Sequence, residues 1–392
     1  MNSPEQTHFP YKILSKRSNL FKGAYLLGWA LFIFYTGVTK PYYNWDVIGY
    51  VASAYELSGL SGEALRDSTY EDIRSAVPHP GYFLALTDEN LVYQSTVYED
   101  PSALQQHLPF YKIRYVYVWA TYALGQLIES FAQATVLISA TAGFLIVLTS
   151  GILFWNAGSV VAFLFVSPAV FFAGAAKLSR LSTPDAITAL AAVFLCALIL
   201  ARKHIAAAFL IALLPIFRTD YLIFALAASF ILFLHGSSRL AVLSASFAFL
   251  TYFAVNHFAG NYGYAVIFNF TLIDMGSSPY PLQMPISDDV RDYIEAYIRG
   301  IRKLIYTPEI YLCPIITAVV IFLTSTQDRY RNRFFIIYFA CLFFAVVHFL
   351  LFPSAFPRNY FVLSWASIMY LAEAFILYRN FAIVMKNHEG KA

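Results

Sequence analysis

Ten apolar stretches punctuate the chain, at 21–39, 132–153, 157–174, 185–201, 204–218, 220–235, 239–258, 308–325, 334–352 and 359–378. A helix that crosses a membrane needs about 20 mostly apolar residues, so each stretch is a candidate span. Two long polar insertions interrupt them, at 40–131 and 259–307. The pattern predicts an all-α polytopic membrane protein, a single membrane domain over 1–392. It has about ten transmembrane helices and two outer loops that carry juxtamembrane helices.

Finer periodicity places helices inside the insertions. Val47, Ile48, Val51, Ala54 and Tyr55 recur at helical spacing and predict a helix over 46–57. Residues 111–131 are expected as a helix on the outer surface, because an eleventh span there would reverse every later connection. In the second insertion Val290, Tyr293, Ile294, Tyr297, Ile298, Ile301 and Ile305 share one helical face. Ser287 is its expected N-cap, with Asp288 and Asp289 in the first turn and Arg299, Arg302 and Lys303 in the last turns. Such a helix lies in the interface plane with its basic side toward headgroup phosphates.

The stretch 204–235 must hold two passes. Each pass of about 16 residues rises about 24 Å, short of the ~30 Å hydrocarbon core. The tip, Phe217 to Tyr221, is therefore expected below the membrane surface. Arg218 and Asp220 at that depth are costly unless paired or functional.

Composition agrees with the span pattern. The chain is 59% hydrophobic and 12% charged, where soluble domains carry roughly a quarter charged residues. The net charge of +3, with no basic tract, excludes a nucleic-acid partner. Cys196, Cys313 and Cys341 all fall in apolar stretches, so neither a disulfide framework nor a metal cluster is expected. Charge also orients the chain. Lys12, Lys16, Arg17 and Lys22 precede the first span, whose lack of a small-residue cleavage site makes it an anchor. Arg202, Lys203, the turn 327–333 and the tail residues Arg379, Lys386 and Lys391 fall on that same side. The positive-inside rule makes this side cytoplasmic and both insertions external. The first loop is acidic, and most of its carboxylates are read as a solvated face.

Few polar residues then lie near the outer membrane plane: Asp46, Arg114, Lys177, Arg180, Asp185, Arg218, Asp220, His257 and Arg358. Arginines pair bidentately with phosphate oxygens, and a carboxylate can deprotonate an attacking hydroxyl. The set suits a reaction on a lipid-linked phosphate, with Arg180, Arg218 and Arg358 converging beside a cavity that contains Asp46. Each residue also has a plainer role. Asp46 can cap the helix 46–57. Lys177 and Arg180 can snorkel. Asp185 can sit in a helix first turn, Arg218 and Asp220 can neutralise one another, and Arg358 can anchor a span end. Glu373 is expected to face a polar partner within the bundle. His79, His107 and His257 read as loop or interface residues. The sequon at Asn269 and Thr271 reads as chance.

Three segments carry a family likeness: Asn44-Trp45-Asp46 after the first span, Ser179 through Asp185 at a span end, and Phe356-Pro357-Arg358-Asn359-Tyr360 before the last span. Together they resemble the GT-C superfamily of membrane glycosyltransferases. These include protein O-mannosyltransferases, the lipid A aminoarabinose transferase and endoplasmic-reticulum mannosyltransferases. The resemblance covers roughly 20–260 in layout. Where many members carry paired acids, Asp46 is followed by Val47, so Glu56 is the second choice of base.

The resemblance implies a polyprenyl-phosphate sugar donor, an inverting transfer, and a glycan, lipid or protein acceptor. It implies Asp46 or Glu56 as base, with Arg114, Arg180, Arg218 and Arg358 on the donor phosphate. Asp185, Asp220 and His257 support them. No metal or other cofactor is expected, and the location implied is a bacterial inner membrane with the site facing outward. Two other functions fit many spans: an O-antigen-type polymerase or ligase, which would place weight in 259–307, and a transporter, which would show internal repeats.

Overall fold

The computed structural model describes residues 16–157, 159–324 and 331–389. Of the orienting basic residues, Lys12, Arg329 and Lys391 lie outside these. Among the described residues the chain is all-helical, apart from an isolated parallel bridge between Tyr42 and Leu181. The first apolar stretch forms α1 (Lys16–Thr39). The first insertion folds as α2 (Asp46–Leu57), α3 (Gly62–Ala76), α4 (Pro80–Leu86), α5 (Val92–Glu99), α6 (Pro101–Lys112) and α7 (Tyr115–Ile128). Next come α8 (Phe131–Leu153), α9 (Val160–Val170), α10 (Asp185–Leu200), α11 (His204–Phe217), α12 (Leu222–Leu234) and α13 (Ser238–Phe258). The second insertion holds α14 (Tyr264–Phe268) and α15 (Val290–Ile305). Then follow α16 (Pro308–Leu323), α17 (Phe335–Leu351) and α18 (Pro357–Glu389).

Every apolar stretch lies on a helix, but length divides them. Among the described residues five segments are long and apolar enough to cross a membrane: Asn19–Thr39, Phe131–Leu153, Val160–Leu178, Ser238–Phe258 and Pro357–Arg379. A sixth is reached if α15 and α16, bent by 71° at their junction, count as one. The helices α10, α11, α12 and α17 have 16, 14, 13 and 17 residues. They rise only about 20–26 Å, because each stops where the chain turns polar, as at Arg218 between α11 and α12. The surface matches a bilayer rather than water. Phe172, Ile205, Phe209, Leu250, Phe253 and Phe322 stand between 63% and 79% exposed, an apolar display that soluble monomers avoid.

Small residues set the packing. A Cβ on Gly37 of α1 would lie 2.6 Å from the Ser179 carbonyl oxygen, and one on Gly143 of α8 would lie 2.7 Å from the Ser179 Cβ. Only hydrogen at both positions lets the 179–185 segment press between α1 and α8. Tyr42 can then donate its backbone N–H to the Arg180 carbonyl at 2.7 Å, which ties the start of the first loop to this segment.

The bundle has two polar ends. At one, Lys22 donates to the Trp155 carbonyl, Arg333 pairs with Glu373, and Arg379 donates to Ser159. Glu373 thus has the partner that the sequence demanded. The other end carries Asp46, Asp185, Arg218 and Arg358, and both insertions cover it. α7, of 14 residues, packs on α8 and α2. The loops also bind each other. Tyr280 donates to Asp100 at 2.6 Å, Tyr262 to the Gln106 carbonyl at 2.9 Å, and the buried His107 Nε2 meets the Pro279 carbonyl at 3.1 Å. Burial lowers the His107 imidazole to about 4.

α15 is seated on the turn between α17 and α18. A Cβ on Gly300 would lie 2.3 Å from the Pro353 carbonyl oxygen, and Tyr297 donates to the Leu350 carbonyl. Val290, Ile294, Ile298, Ile301 and Ile305 on its apolar face remain exposed. Its cap is Asp289, whose carboxylate accepts from the Arg291 N–H at 2.8 Å, and not Ser287, whose hydroxyl donates to Asp292 at 2.6 Å. Asp289 directly precedes the first helical residue, so it takes the capping bond. Asn269 of the sequon is buried, with its amide engaged by the Pro285 carbonyl and the Ser287 N–H.

Candidate functional site

Six ionisable side chains from five separate segments form a chain of contacts at the loop-covered end. Asp46 begins α2, just past the end of α1. Its Oδ2 accepts from Asn44 Nδ2 at 2.7 Å and from an Arg358 terminal nitrogen at 2.9 Å. Arg358, in the first turn of α18, turns its Nε to Asp185 Oδ2 at 3.5 Å. Thr183 donates to the same oxygen at 2.7 Å. Asp185 begins α10, and its Oδ1 pairs with Arg218. Arg218 lies in extended backbone between α11 and α12. It grips Asp220 with two nitrogens, at 3.0 and 2.8 Å, and reaches Asn359 Oδ1 at 3.3 Å. His348 Nε2, near the end of α17, closes the chain on Asp220 at 3.2 Å.

The local sequence explains each position. Pro184 and Pro357 stand directly before Asp185 and Arg358 and start their helices. Pro215 lies inside the last turn of α11, where it denies the helix a donor. The chain then extends at Arg218 and restarts through the short turn Thr219–Tyr221. This break draws Arg218 and Asp220 inward, as the two short passes required.

Burial is deepest at Asp185 and His348, each 5% exposed, whereas Asp46, Arg358 and Asp220 are 26%, 25% and 28% exposed. The buried charges persist because each has an opposite partner. The Asp46 end keeps free valence. Both bonds to Asp46 fall on Oδ2, and Oδ1 has no hydrogen-bond partner among the described residues. Asn44 Oδ1 and Ser182 Oγ are buried without partners. Asp46 makes no capping bond: it is the first helical residue, and Trp45 precedes it with helical backbone. The capping role is therefore replaced by the pair with Arg358.

Aromatic residues wall the same corner. Tyr50, one turn beyond Asp46, meets Tyr111 and Tyr117 edge-to-face at 5.0 and 4.8 Å. Burial pushes its phenol well up; Arg114, Asp46, Asp185 and Arg358 all act on it in turn. That places Arg114 in the field of the cluster, although its guanidinium bonds the Phe110 carbonyl.

Other expected site residues stand apart. Arg180 gives its Nε to the Lys40 carbonyl at 2.6 Å, beside the Tyr42 bridge. Arg218 and Arg358 thus meet on Asp185, and Arg180 does not join them there. Glu56 pairs with Lys112 at 2.9 Å, ten residues along α2 and so about 15 Å from Asp46. His257 is exposed in the last turn of α13, edge-to-face with Phe258. Lys177 pairs with Glu309 at 3.3 Å. A cavity of about 330 Å³ lies between α2 and the α7–α8 turn and another of about 490 Å³ between α16 and α18; Asp46 lines neither.

His348, Asn359 and Tyr50 were missed from sequence. His348 sits in an apolar run, where a single histidine carries no pattern. Asn359 had a signal, since it adjoins Arg358 in a polar break before a long apolar helix. No protein-family model, curated protein or solved structure matches the chain.

Proposed function

We propose that this chain is a multi-pass membrane glycosyltransferase, about ten crossings in all, that uses a polyprenyl-phosphate sugar donor on the extracytoplasmic side of a bacterial inner membrane. The observation that carries the reading is Asp46: a carboxylate at the end of α1, oriented through Oδ2 by Asn44 and Arg358, with Oδ1 open. An acceptor hydroxyl would give its proton to Oδ1 as its oxygen bonds to the anomeric carbon. The bond from that carbon to the phosphate oxygen breaks on the opposite face, which inverts the centre. The leaving polyprenyl phosphate takes the bonding electron pair, and cations at the same boundary hold its charge. A donor tethered by its lipid tail reacts only near a span end. Of the first-loop acids near one, Asp72 is taken up by Ser130 and the N–H groups that begin α8, whereas Asp46 keeps Oδ1 open.

The short helices α10, α11 and α12 support this reading. They leave their polar ends recessed, where a headgroup-level substrate meets them. Arg358 and Arg114 then serve the phosphate, and Asp185 and Asp220 support them through Arg218. A polymerase or ligase acting on the same donor class gains from one observation, the seating of α15 against the Arg358 turn. The experiment is incubation of purified protein with a radiolabelled polyprenyl-phosphate sugar. Transfer of label to an acceptor, with release of polyprenyl phosphate from a single-sugar donor, is the expected result. No consumption of any such donor across acceptor classes sinks the proposal.

A further inference from the structure

The amphipathic helix α15 brings a second cation to the cluster. Lys303 Nζ stands 3.6 Å from the centre of the Phe356 ring, and the Arg358 guanidinium carbon stands 5.3 Å from the same centre. One ring therefore holds two like charges. Acids account for only one of the two: Arg358 has Asp46 and Asp185 beside it. Lys303 has no acidic partner among the described residues, and Glu295, the acid two turns earlier on α15, is taken by Arg291 and Arg299. Arg358 pairs with Asp46 and Asp185 through one terminal nitrogen and Nε; its other terminal nitrogen has no partner among the described residues. Arg218 has no such freedom, since Asp185, Asp220 and Asn359 occupy its fork.

The seating is specific. The close approach of Gly300 to Pro353 and the Tyr297 bond to the Leu350 carbonyl fix α15 on the turn that carries Phe356. α15 keeps an open apolar face and meets α16 at 71°, features that suit a helix lying in a membrane interface. An ammonium on an aromatic face keeps donors free for a further ligand.

We propose that Lys303 and Arg358 form a two-cation clamp for the phosphate of a membrane-embedded lipid phosphate, so that the second insertion supplies part of the donor site. This rests on the glycosyltransferase reading above. It assigns the phosphate to Lys303 and Arg358 and gives Arg218 a positioning role. Burial and proximity to Arg358 lower the Lys303 ammonium.

The test is binding of undecaprenyl phosphate to the full chain in phosphatidylcholine nanodiscs, comparing parent, Lys303→Gln, Lys303→Arg and Arg302→Gln. Loss of one phosphate contact is expected to weaken binding about tenfold in Lys303→Gln, about 1.4 kcal/mol. Lys303→Arg should recover most of it, and Arg302→Gln should bind like the parent. Phosphatidylglycerol offered in place of undecaprenyl phosphate should show no dependence on Lys303. Parent-like binding by Lys303→Gln overturns the clamp and leaves the glycosyltransferase reading standing. Equal losses in the Lys303 and Arg302 variants, or Lys303-dependent binding of phosphatidylglycerol, overturn it in favour of general headgroup attraction. A parent that does not bind the lipid phosphate overturns both.

Discussion

Arg333 and Glu373 at one end of the bundle form a closed pair, while Asp46 and Arg358 at the other do not. In the first, two guanidinium nitrogens meet two carboxylate oxygens at 3.0 and 2.8 Å. In the second, one oxygen of Asp46 holds both contacts, and one terminal nitrogen of Arg358 stays open. Both pairs join the last long helix to another element, one at its first turn through Arg358 and one at its middle through Glu373. The difference lies in the acid: both oxygens of Glu373 are bonded, whereas Asp46 leaves Oδ1 open. Closed pairs of this kind tie helices together; open ones keep capacity for a substrate. The depth of the network behind each pair differs too. Behind Arg358 lie Asp185, Arg218, Asp220 and His348, an ion-paired scaffold that fixes the open groups in place.

The largest stability effect is expected at that scaffold. Asp185→Ala leaves Arg218 and Arg358 without a shared acid and should lower stability by about 3–5 kcal/mol. Thermal unfolding in detergent reads it, and a loss under about 1 kcal/mol would show that the scaffold is not a structural tie. The docking of the two loops supplies the next effect, through pH. The unfolded His107 imidazole takes its proton near pH 6.5 and the folded one near about 4. Between those values the unfolded chain binds more protons, so stability falls as pH falls, by about 3 kcal/mol in all. Hydrogen exchange at residues 277–283 should accelerate over that window, and His107→Phe should flatten the response. The closed pair should matter least. Glu373→Gln is expected to cost about 1–3 kcal/mol and to leave turnover unchanged. A collapse of turnover with intact folding would erase the distinction between the two ends.

Much of this was legible in the chain. Each apolar stretch became a helix because helical backbone is the economical way to satisfy N–H and C=O groups in lipid. The recessed tip at Arg218 followed from counting residues in 204–235. Asp46 and Arg358 were both readable as polar groups beside span ends. Their partnership was not. Residues 46, 185, 218, 348 and 359 converge only through the order in which α10, α11, α17 and α18 pack, and hydropathy is blind to that order. The span count also outran the structure, since a polar end shortens a helix without changing its apolar composition. Lys303 read as one more headgroup-facing cation. Its place on Phe356 depends on the bend at Tyr306 and Thr307 and on the absent side chain of Gly300, neither of which a helical wheel displays.

Asp46→Asn tests the central claim most directly. Asparagine keeps the size of the side chain and can still meet Arg358 through its oxygen, but it cannot accept the proton at neutral pH. With a labelled polyprenyl-phosphate sugar, turnover should fall by about 10²–10⁴-fold, while donor binding and the melting temperature stay near those of the parent. Turnover within about threefold of the parent, in a variant that folds and binds donor equally well, would contradict the assignment of Asp46 as the base.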